Sequence, residues 1–478
     1  MRASASARTI AGNGNDSTGK RPLLRPASIG VPLALLIVYA LGWLAAVQQQ
    51  GIESITRQTD FIATHTGALI IEQGNGPLLY DLDAQRAAQR VLVAPYIGPA
   101  GGPAPHASGK WLSYIHPPWE AVLFAPLAQL PVPVLFAGWS LLMLTALGFA
   151  LRVMHGALPM PGHALPVVVI ALCTYQPVAR SFMLGQGSPL VLLGLCGAYA
   201  ALKRNAPVWA AACLLPVTIK PQALMPVLLF LLLHHHWKTL MGFGALLGTA
   251  CVACMPLLGV DWPLRYLSML STIADSPQAG VHPEIMPNWR GLATGLFGGW
   301  APGLVVPAFL LLGLLTLGLV AWCAVRVPAT ASTKPSVRSG SEGLAADCNL
   351  DPNHNAYRPG HDLLWALVGV SAVLTSPHLN PHDLTLLLLP AWIIAAYATS
   401  GLWQARTSAF WLLVLWAGYA IIPLTFYASM DLGWPARTVI TVFPIVAVMG
   451  MAAVQLARQI AHTRRGRSPA PVPMGAPP

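Results

Sequence analysis

The sequence predicts an all-α integral membrane protein, a bundle of about twelve transmembrane helices, and three observations predict it. Hydrophobic residues make up 55% of the 478-residue chain and charged residues only 9%. An ordinary soluble domain carries roughly 25% charged residues. Apolar stretches of helix-spanning length recur from residue 29 to residue 457. Basic residues collect at the ends of these stretches, where Lys and Arg fix the orientation of membrane helices. A lipid-facing surface must be apolar, so lipid is the solvent that this composition fits.

The elements follow in order. Residues 1–28 form a basic, low-complexity tail with Arg2, Arg8, Lys20, Arg21 and Arg25, a composition that stays disordered. The first apolar run, Ile29 to Val47, is longer than a signal-peptide core and is followed by Gln48, Gln49 and Gln50 instead of a small-residue cleavage site; it reads as an uncleaved first span. Further spans are expected near 133–151, 164–180, 187–202, 206–219, 221–235, 238–259, 302–326, 362–376, 383–400, 408–427 and 438–457. Two of these meet at Lys220-Pro221, and the residue before a proline is pushed out of the helical region, so a break is expected there. The transmembrane domain covers 29–458, and 459–478 is a second basic tail.

Twelve spans put both tails on one side. With the tails in the cytoplasm, Arg152, Lys203, Arg204, Lys238, Arg406 and the 327–361 loop with Lys334 and Arg338 fall on that side too. The other side then holds a long first loop, about 48–132, a second at about 261–301, and short turns at Arg180 to Gly187, Lys220 to Gln222 and Ser376 to Asp383. Trp119 to Leu130 is apolar but too short to span and is expected to lie in the interface. The outer side gathers Asp60, Arg180, Gln186, Lys220, His378, Asn380, His382 and Asp383 near membrane depth. Singly, each fits a helix cap or a headgroup-level side chain. Together on one face they predict a polar cavity, because ionisable groups at that depth are costly elsewhere.

Other chemistries are less well supported. The net charge of +11 lies at span flanks, with no basic stripe interleaved by aromatics, so nucleic acid is not an expected partner. Cys251 and Cys254 form a lone CxxC without a second pair and read as helix filler. His234, His235 and His236 close a span and read as a solvated or headgroup-level turn. There is no Gly-rich phosphate loop, and neither a metal nor another cofactor is expected.

Five blocks of sequence resemble a known family. These are Thr59-Asp60-Phe61 with Gly76-Pro77-Leu78-Leu79-Tyr80-Asp81, Tyr114-Ile115-His116-Pro117-Pro118 with Ala125-Pro126-Leu127, Gly185-Gln186-Gly187, Ile219-Lys220-Pro221, and Ser376-Pro377 through His382-Asp383. In this order they resemble glycosyltransferase family 87, over about residues 50–400. The resemblance implies a GT-C architecture and transfer of a sugar from a polyprenyl-phosphate carrier to a glycan or glycolipid acceptor. Mannosyltransferases of the family tend to carry a Trp-Asp-His-His-like run late in the chain. Here the run is Asn380-Pro381-His382-Asp383, so neither mannose as the sugar nor a glycolipid as the acceptor is carried over from those members.

The resemblance and the chemistry of transfer together assign roles. Nucleotide sugars are cytoplasmic, so an outward-facing site needs a donor that crosses the membrane on a lipid. Inverting transfer needs a base for the acceptor hydroxyl and cations or donors for the leaving phosphate. Asp60 is the expected base, with helix capping as its other reading, and His382 could share or replace it. Lys220, Arg180 and Arg290 are candidates for the donor phosphate, with snorkelling to headgroups as the alternative. Tyr80, Gln186, His378, Asn380 and Asp383 are candidates for binding sugar or acceptor, and Trp119 or Trp289 for stacking. Besides the lipid-linked sugar and its acceptor, only membrane lipids are expected as partners. The expected place is a bacterial inner or plasma membrane, with the active site outside. A transporter or flippase of a lipid-linked glycan or small polar solute is the alternative, though the two halves show no convincing repeat. A glycan polymerase or ligase is a third reading, without its usual large late loop.

Overall fold

The computed structural model describes residues 59–94, 111–162, 164–274, 281–327, 358–400, 402–403, 406–415, 445–450 and 452–455, with isolated positions at 37, 41, 442 and 457. Both tails, most of the 29–47 and 408–427 spans, part of the 438–457 span and most of the 327–361 loop lie outside the described residues. Within them the chain is helical, with no strand.

Fifteen α-helices between residues 61 and 399 fix the frame, and a further helical stretch, Arg406–Leu415, follows them. The 48–132 stretch, expected as a long loop, contains α1 (Phe61–Glu72), α2 (Leu82–Val93) and α3 (Pro118–Phe124). Then follow α4 (Val132–Ala157), α5 (Ala164–Cys173), α6 (Gln176–Leu184), α7 (Ser188–Lys203), α8 (Pro207–Leu214), α9 (Leu224–Leu233) and α10 (Trp237–Leu258). The second outer loop holds α11 (Trp262–Ile273) and α12 (Trp289–Phe297), before α13 (Val305–Arg326), α14 (Pro359–Leu374) and α15 (Leu388–Thr399). A proline stands in the first turn of α3, α4, α6, α7, α8, α11 and α14. There its missing N–H costs nothing and its fixed φ suits a helix start.

Four described helical stretches are long and apolar enough to cross a membrane: Val132–Ala157, Trp237–Leu258, Pro302–Arg326 and Pro381–Thr399. A fifth is possible if α5 and α6, bent by 46° at their junction, form one broken span. The expected 206–219 and 221–235 segments are shorter helices that meet, as the proline rule requires, at Lys220. The described residues thus show four or five spanning stretches and several shorter apolar helices, and the expected count of about twelve is not reached among them. Residues 119–130 form α3 followed by a 3-10 turn, Ala125–Leu127, which agrees with a non-spanning apolar element.

The core forms where helices are apolar on all sides. From His361 to Leu374 every residue of α14 is buried, and α14 packs against α9, α13 and α15. A helix hydrophobic all round belongs in the middle of a bundle. At the periphery, α13 exposes Val306, Leu310, Leu311, Leu314 and Leu315, the continuous apolar surface expected of a lipid-facing helix. On the other side α4 packs along α7, α7 along α8 and α8 along α10.

The Lys203–Asp362 pair is an exception to the apolar core. Asp362, wholly buried in α14, accepts from Lys203 Nζ at 3.0 and 3.2 Å, from the Tyr199 hydroxyl at 2.8 Å, from the Tyr397 hydroxyl at 2.8 Å and from the Arg358 amide at 2.8 Å. Lys203, read from the sequence only as a basic residue at a span end on the side of the tails, is 7% exposed. Its charge is matched inside the bundle, where it ties α7 to α14 and α15. The histidine turn is corrected: His234 is buried and stacks on Phe230 with ring centroids 4.6 Å apart.

Candidate active site

The polar residues expected on one side of the membrane come from four separate stretches, and local rules place each one. Asp60 stands directly before α1. Its backbone is helical (φ −67°, ψ −17°) and its carboxylate makes no capping bond to α1. The capping reading of Asp60 is therefore not what this side chain does, since a capping side chain accepts from the first turn. Instead Asp60 Oδ2 accepts from Gln186 Nε2 at 2.6 Å.

Gln186 sits on the three-residue link, Gly185-Gln186-Gly187, between α6 and α7. The chain turns there because Gly185 takes a left-handed conformation, φ +67°, which only glycine adopts freely. The Gln186 amide bonds back to Ser181 O at 2.8 Å, and Gly185 O accepts from Trp139 Nε1 at 2.8 Å. A Cβ at position 185 would lie 2.6 Å from Phe61 Cβ and 2.7 Å from Phe136 Cε2. Gly185→Ala is expected to cost about 2–4 kcal/mol, from left-handed strain and overpacking together, and to displace Gln186 from Asp60. Thermal unfolding in detergent with an activity assay checks this; a variant of native stability and activity would show that the turn is not required.

Lys220 is held at the proline-enforced break between two 3-10 turns, Pro216–Ile219 and Pro221–Ala223. It is buried, donates to Gln186 Oε1 at 3.2 Å, and pairs with Asp383 Oδ1 at 2.6 Å. Asp383 also accepts from Ser188 Oγ at 2.8 Å and from the Asn380 amide at 3.0 Å. The result is one continuous chain, Asp60–Gln186–Lys220–Asp383, built from four regions of the sequence. His382 Nε2 lies 3.6 Å from Asp383 Oδ1. Arg180 is in α6 and not in a turn, as had been expected, and its charge reaches Asp60.

Electrostatics separates the two candidate bases. Burial pushes the Asp60 carboxyl up to about 6, while the Gln186 hydrogen bond, Lys220 and Arg180 pull against that shift. Asp60 is thus a carboxylate above pH 6 and a weak acid below it, the tuning a general base at neutral pH needs. Asp60 retains partial exposure, whereas His382 is 2% exposed. Of the two candidates, Asp60 is the more accessible. His378 is pulled down to about 4, first by burial and then by Lys220, Arg290 and His116 against the opposing effect of Asp383. It stays neutral at physiological pH.

Other expected residues have different duties. Tyr80 is buried and donates to His116 O at 3.1 Å, in a cluster with Tyr114 and Tyr266. Arg290 donates to Pro377 O at 2.8 Å and Ala274 O at 3.0 Å, which clamps the second outer loop onto the 376–383 turn. Asn380 supplies the amide that Asp383 accepts. Trp289 is buried and bonded to Thr316 Oγ1 at 2.8 Å, so it is not free to stack on a sugar. Trp119 is only partly buried. The residues that sequence reasoning missed are Ser188 and Glu120. Ser188 carried the weak signal of following Gly185-Gln186-Gly187. Among the described residues, no group of His, Cys, Asp and Glu is arranged to hold a metal.

Residues 114–340 match the family model of glycosyltransferase family 87. The resemblance read from the motifs is borne out over this stretch, which includes Tyr114-Ile115-His116-Pro117-Pro118, Gly185-Gln186-Gly187 and Ile219-Lys220-Pro221. Asp60 and the 376–383 block lie outside it, and the hydrogen-bond chain is what joins them to it. No curated protein and no solved structure matches the chain. The match and the long apolar helices together point to a membrane glycosyltransferase.

Proposed function

We propose, on the premise of that family match, that the protein transfers a sugar from a polyprenyl-phosphate donor to a glycan or glycolipid acceptor at the outer face of the membrane, with inversion. The observation that carries this reading is the chain from Asp60 through Gln186 to Lys220. A tuned carboxylate and a buried cation are held a single glutamine apart, so a base and a phosphate ligand can act on one substrate pair. Asp60 takes the proton of the acceptor hydroxyl as that oxygen attacks the anomeric carbon. Lys220, with Arg180 close by, stabilises the phosphate that leaves from the opposite face. Asp383 and Ser188 hold the lysine in place, so little reorganisation is needed when charge develops. Neutral His378 can bond sugar hydroxyls without adding charge. The basic span flanks support cytoplasmic tails and an outward site in a bacterial inner or plasma membrane.

The test uses purified protein in nanodiscs, with farnesyl-phosphoryl hexoses and nucleotide hexoses offered as competing donors to octyl hexosides. Transfer is expected from the lipid-linked donors alone. Lys220→Met is expected to raise the donor KM about tenfold or more, the loss of one charge-assisted hydrogen bond. Transfer from nucleotide sugars, or an unchanged donor KM in Lys220→Met, would contradict this assignment.

A further inference from the structure

The segment before α3 is held in a way that nothing above requires. Residues 111–115 carry no regular secondary structure, yet their backbone groups are bonded by side chains. Gln89 donates to Leu112 O at 3.0 Å and accepts from the Leu112 amide at 3.3 Å. Gln85 does the same for Tyr114, at 3.2 and 2.8 Å. The glutamines are four residues apart on α2, about 6 Å of helix rise. Leu112 and Tyr114 are two apart on an extended chain, about 6.6 Å. The helix thus offers two amide groups at nearly the spacing of a neighbouring strand.

The clamp continues without a gap. Tyr266 donates to Ile115 O at 3.0 Å, Tyr80 to His116 O at 3.1 Å and Tyr114 to Pro117 O at 2.6 Å. Three tyrosine hydroxyls therefore hold three successive carbonyls. Every buried hydroxyl so placed must find a partner, and here the partners all lie on one short segment.

The segment presents His116. The His116 Nδ1 is bonded to Glu120 Oε2, one helical turn on. Glu120 is 3% exposed, and its other oxygen accepts from Thr64 Oγ1 at 3.3 Å. Thr64 is four residues after Asp60 and so shares its face of α1. The contacts therefore run from Lys220 through Gln186 to Asp60, and along α1 through Thr64 to Glu120 and His116. The His116 ring is only partly buried, with 19% of its side chain exposed. It acts electrostatically on His378, which also feels Lys220 and Asp383. His116 and Lys220 thus both act on His378, while Glu120 and Thr64 connect His116 to the helix that Asp60 precedes.

We infer that His116, oriented by Glu120, binds a hydroxyl of the sugar acceptor through its Nε2. This inference rests on the glycosyltransferase reading and names the acceptor side of that same site. With Nδ1 engaged by the carboxylate, the opposite ring nitrogen is fixed in direction. Glu120 is a positioning residue: it acts through the imidazole and not on the substrate. Attack from the side opposite the leaving phosphate puts the acceptor at the His116 end of the chain, with Asp60 between the two substrates.

The test compares His116→Gln, His116→Ala and Glu120→Gln in nanodiscs, with farnesyl-phosphoryl hexoses and octyl hexosides as probes and thermal unfolding as a control. His116→Ala and Glu120→Gln are expected to raise the octyl-hexoside KM about tenfold, the loss of one hydrogen bond. The donor KM should stay unchanged. His116→Gln, which keeps an acceptor atom, should recover part of the loss. An unchanged acceptor KM in His116→Ala, or donor and acceptor KM rising together, would overturn the inference while leaving the transferase reading in place. A wild-type protein that moves no sugar from any lipid-linked probe would overturn that reading, and the inference with it.

Discussion

Asp60→Asn is expected to lower kcat by about 10²–10⁴-fold, the range that a positioned general base contributes, with little change in either KM. The substitution keeps the volume and an oxygen facing Gln186 Nε2, so the 2.6 Å contact that holds Gln186 is retained. What it removes is the proton acceptor. In cells, the donor lipid should accumulate while the acceptor goes unmodified. Loss of kcat at constant KM marks an interaction used in the transition state and not in binding. The measurement is steady-state transfer with both substrates varied, after membrane insertion has been checked. A variant with full kcat would remove Asp60 from the mechanism. So would a variant whose only change is a raised donor KM, because Asp60 would then be part of the phosphate site.

The second large effect is expected far from the chemistry. Asp362→Ala should destabilise the bundle by about 3–5 kcal/mol, because it leaves the Lys203 ammonium buried without a counter-charge. It also strips the acceptor from two tyrosine hydroxyls, Tyr199 and Tyr397. Replacing the pair together, Lys203→Met with Asp362→Asn, should cost less than the single change. The double variant buries no unmatched charge and keeps an oxygen for a tyrosine. Equilibrium unfolding in mixed micelles measures both. A single variant within about 1 kcal/mol of wild type would mean that the pair is solvated, since exposed ion pairs contribute no more than that. A double variant worse than the single would mean that the two charges are not coupled.

The sequence could be read furthest where polar residues interrupt an apolar background. Asp60, Gln186, Lys220 and Asp383 stand out because membrane-depth segments have few charges, and the structure joins all four in one network. The break at Lys220 follows from Pro221 by local sterics alone. Lys203 was legible only as a basic residue at a span end. A lysine at a helix end looks like a flank, and only the packing of α7 on α14 and α15 reveals Asp362 as its partner. The His116–Glu120 pair had no signal in periodicity. It needs Thr64, Gln85, Gln89 and Tyr266 from distant segments before its orientation has any meaning. Tyr80 and Arg290 were legible as polar outer-side residues, but their hydrogen bonds go to backbone carbonyls. A residue type cannot show whether a side chain serves substrate or fold until its partners are known.

The pH dependence of transfer tests the central claim, that Asp60 is the base, most directly. Burial sets the Asp60 carboxyl at about 6, and only its ionised form can take a proton. Wild-type kcat/KM for the octyl-hexoside acceptor should therefore fall as pH drops through about 6 and level off above 7, about one unit beyond the midpoint. The residual activity of Asp60→Asn should lack this acidic limb. A wild-type profile flat from pH 5 to 8, or an acidic limb that survives in Asp60→Asn, would contradict the account.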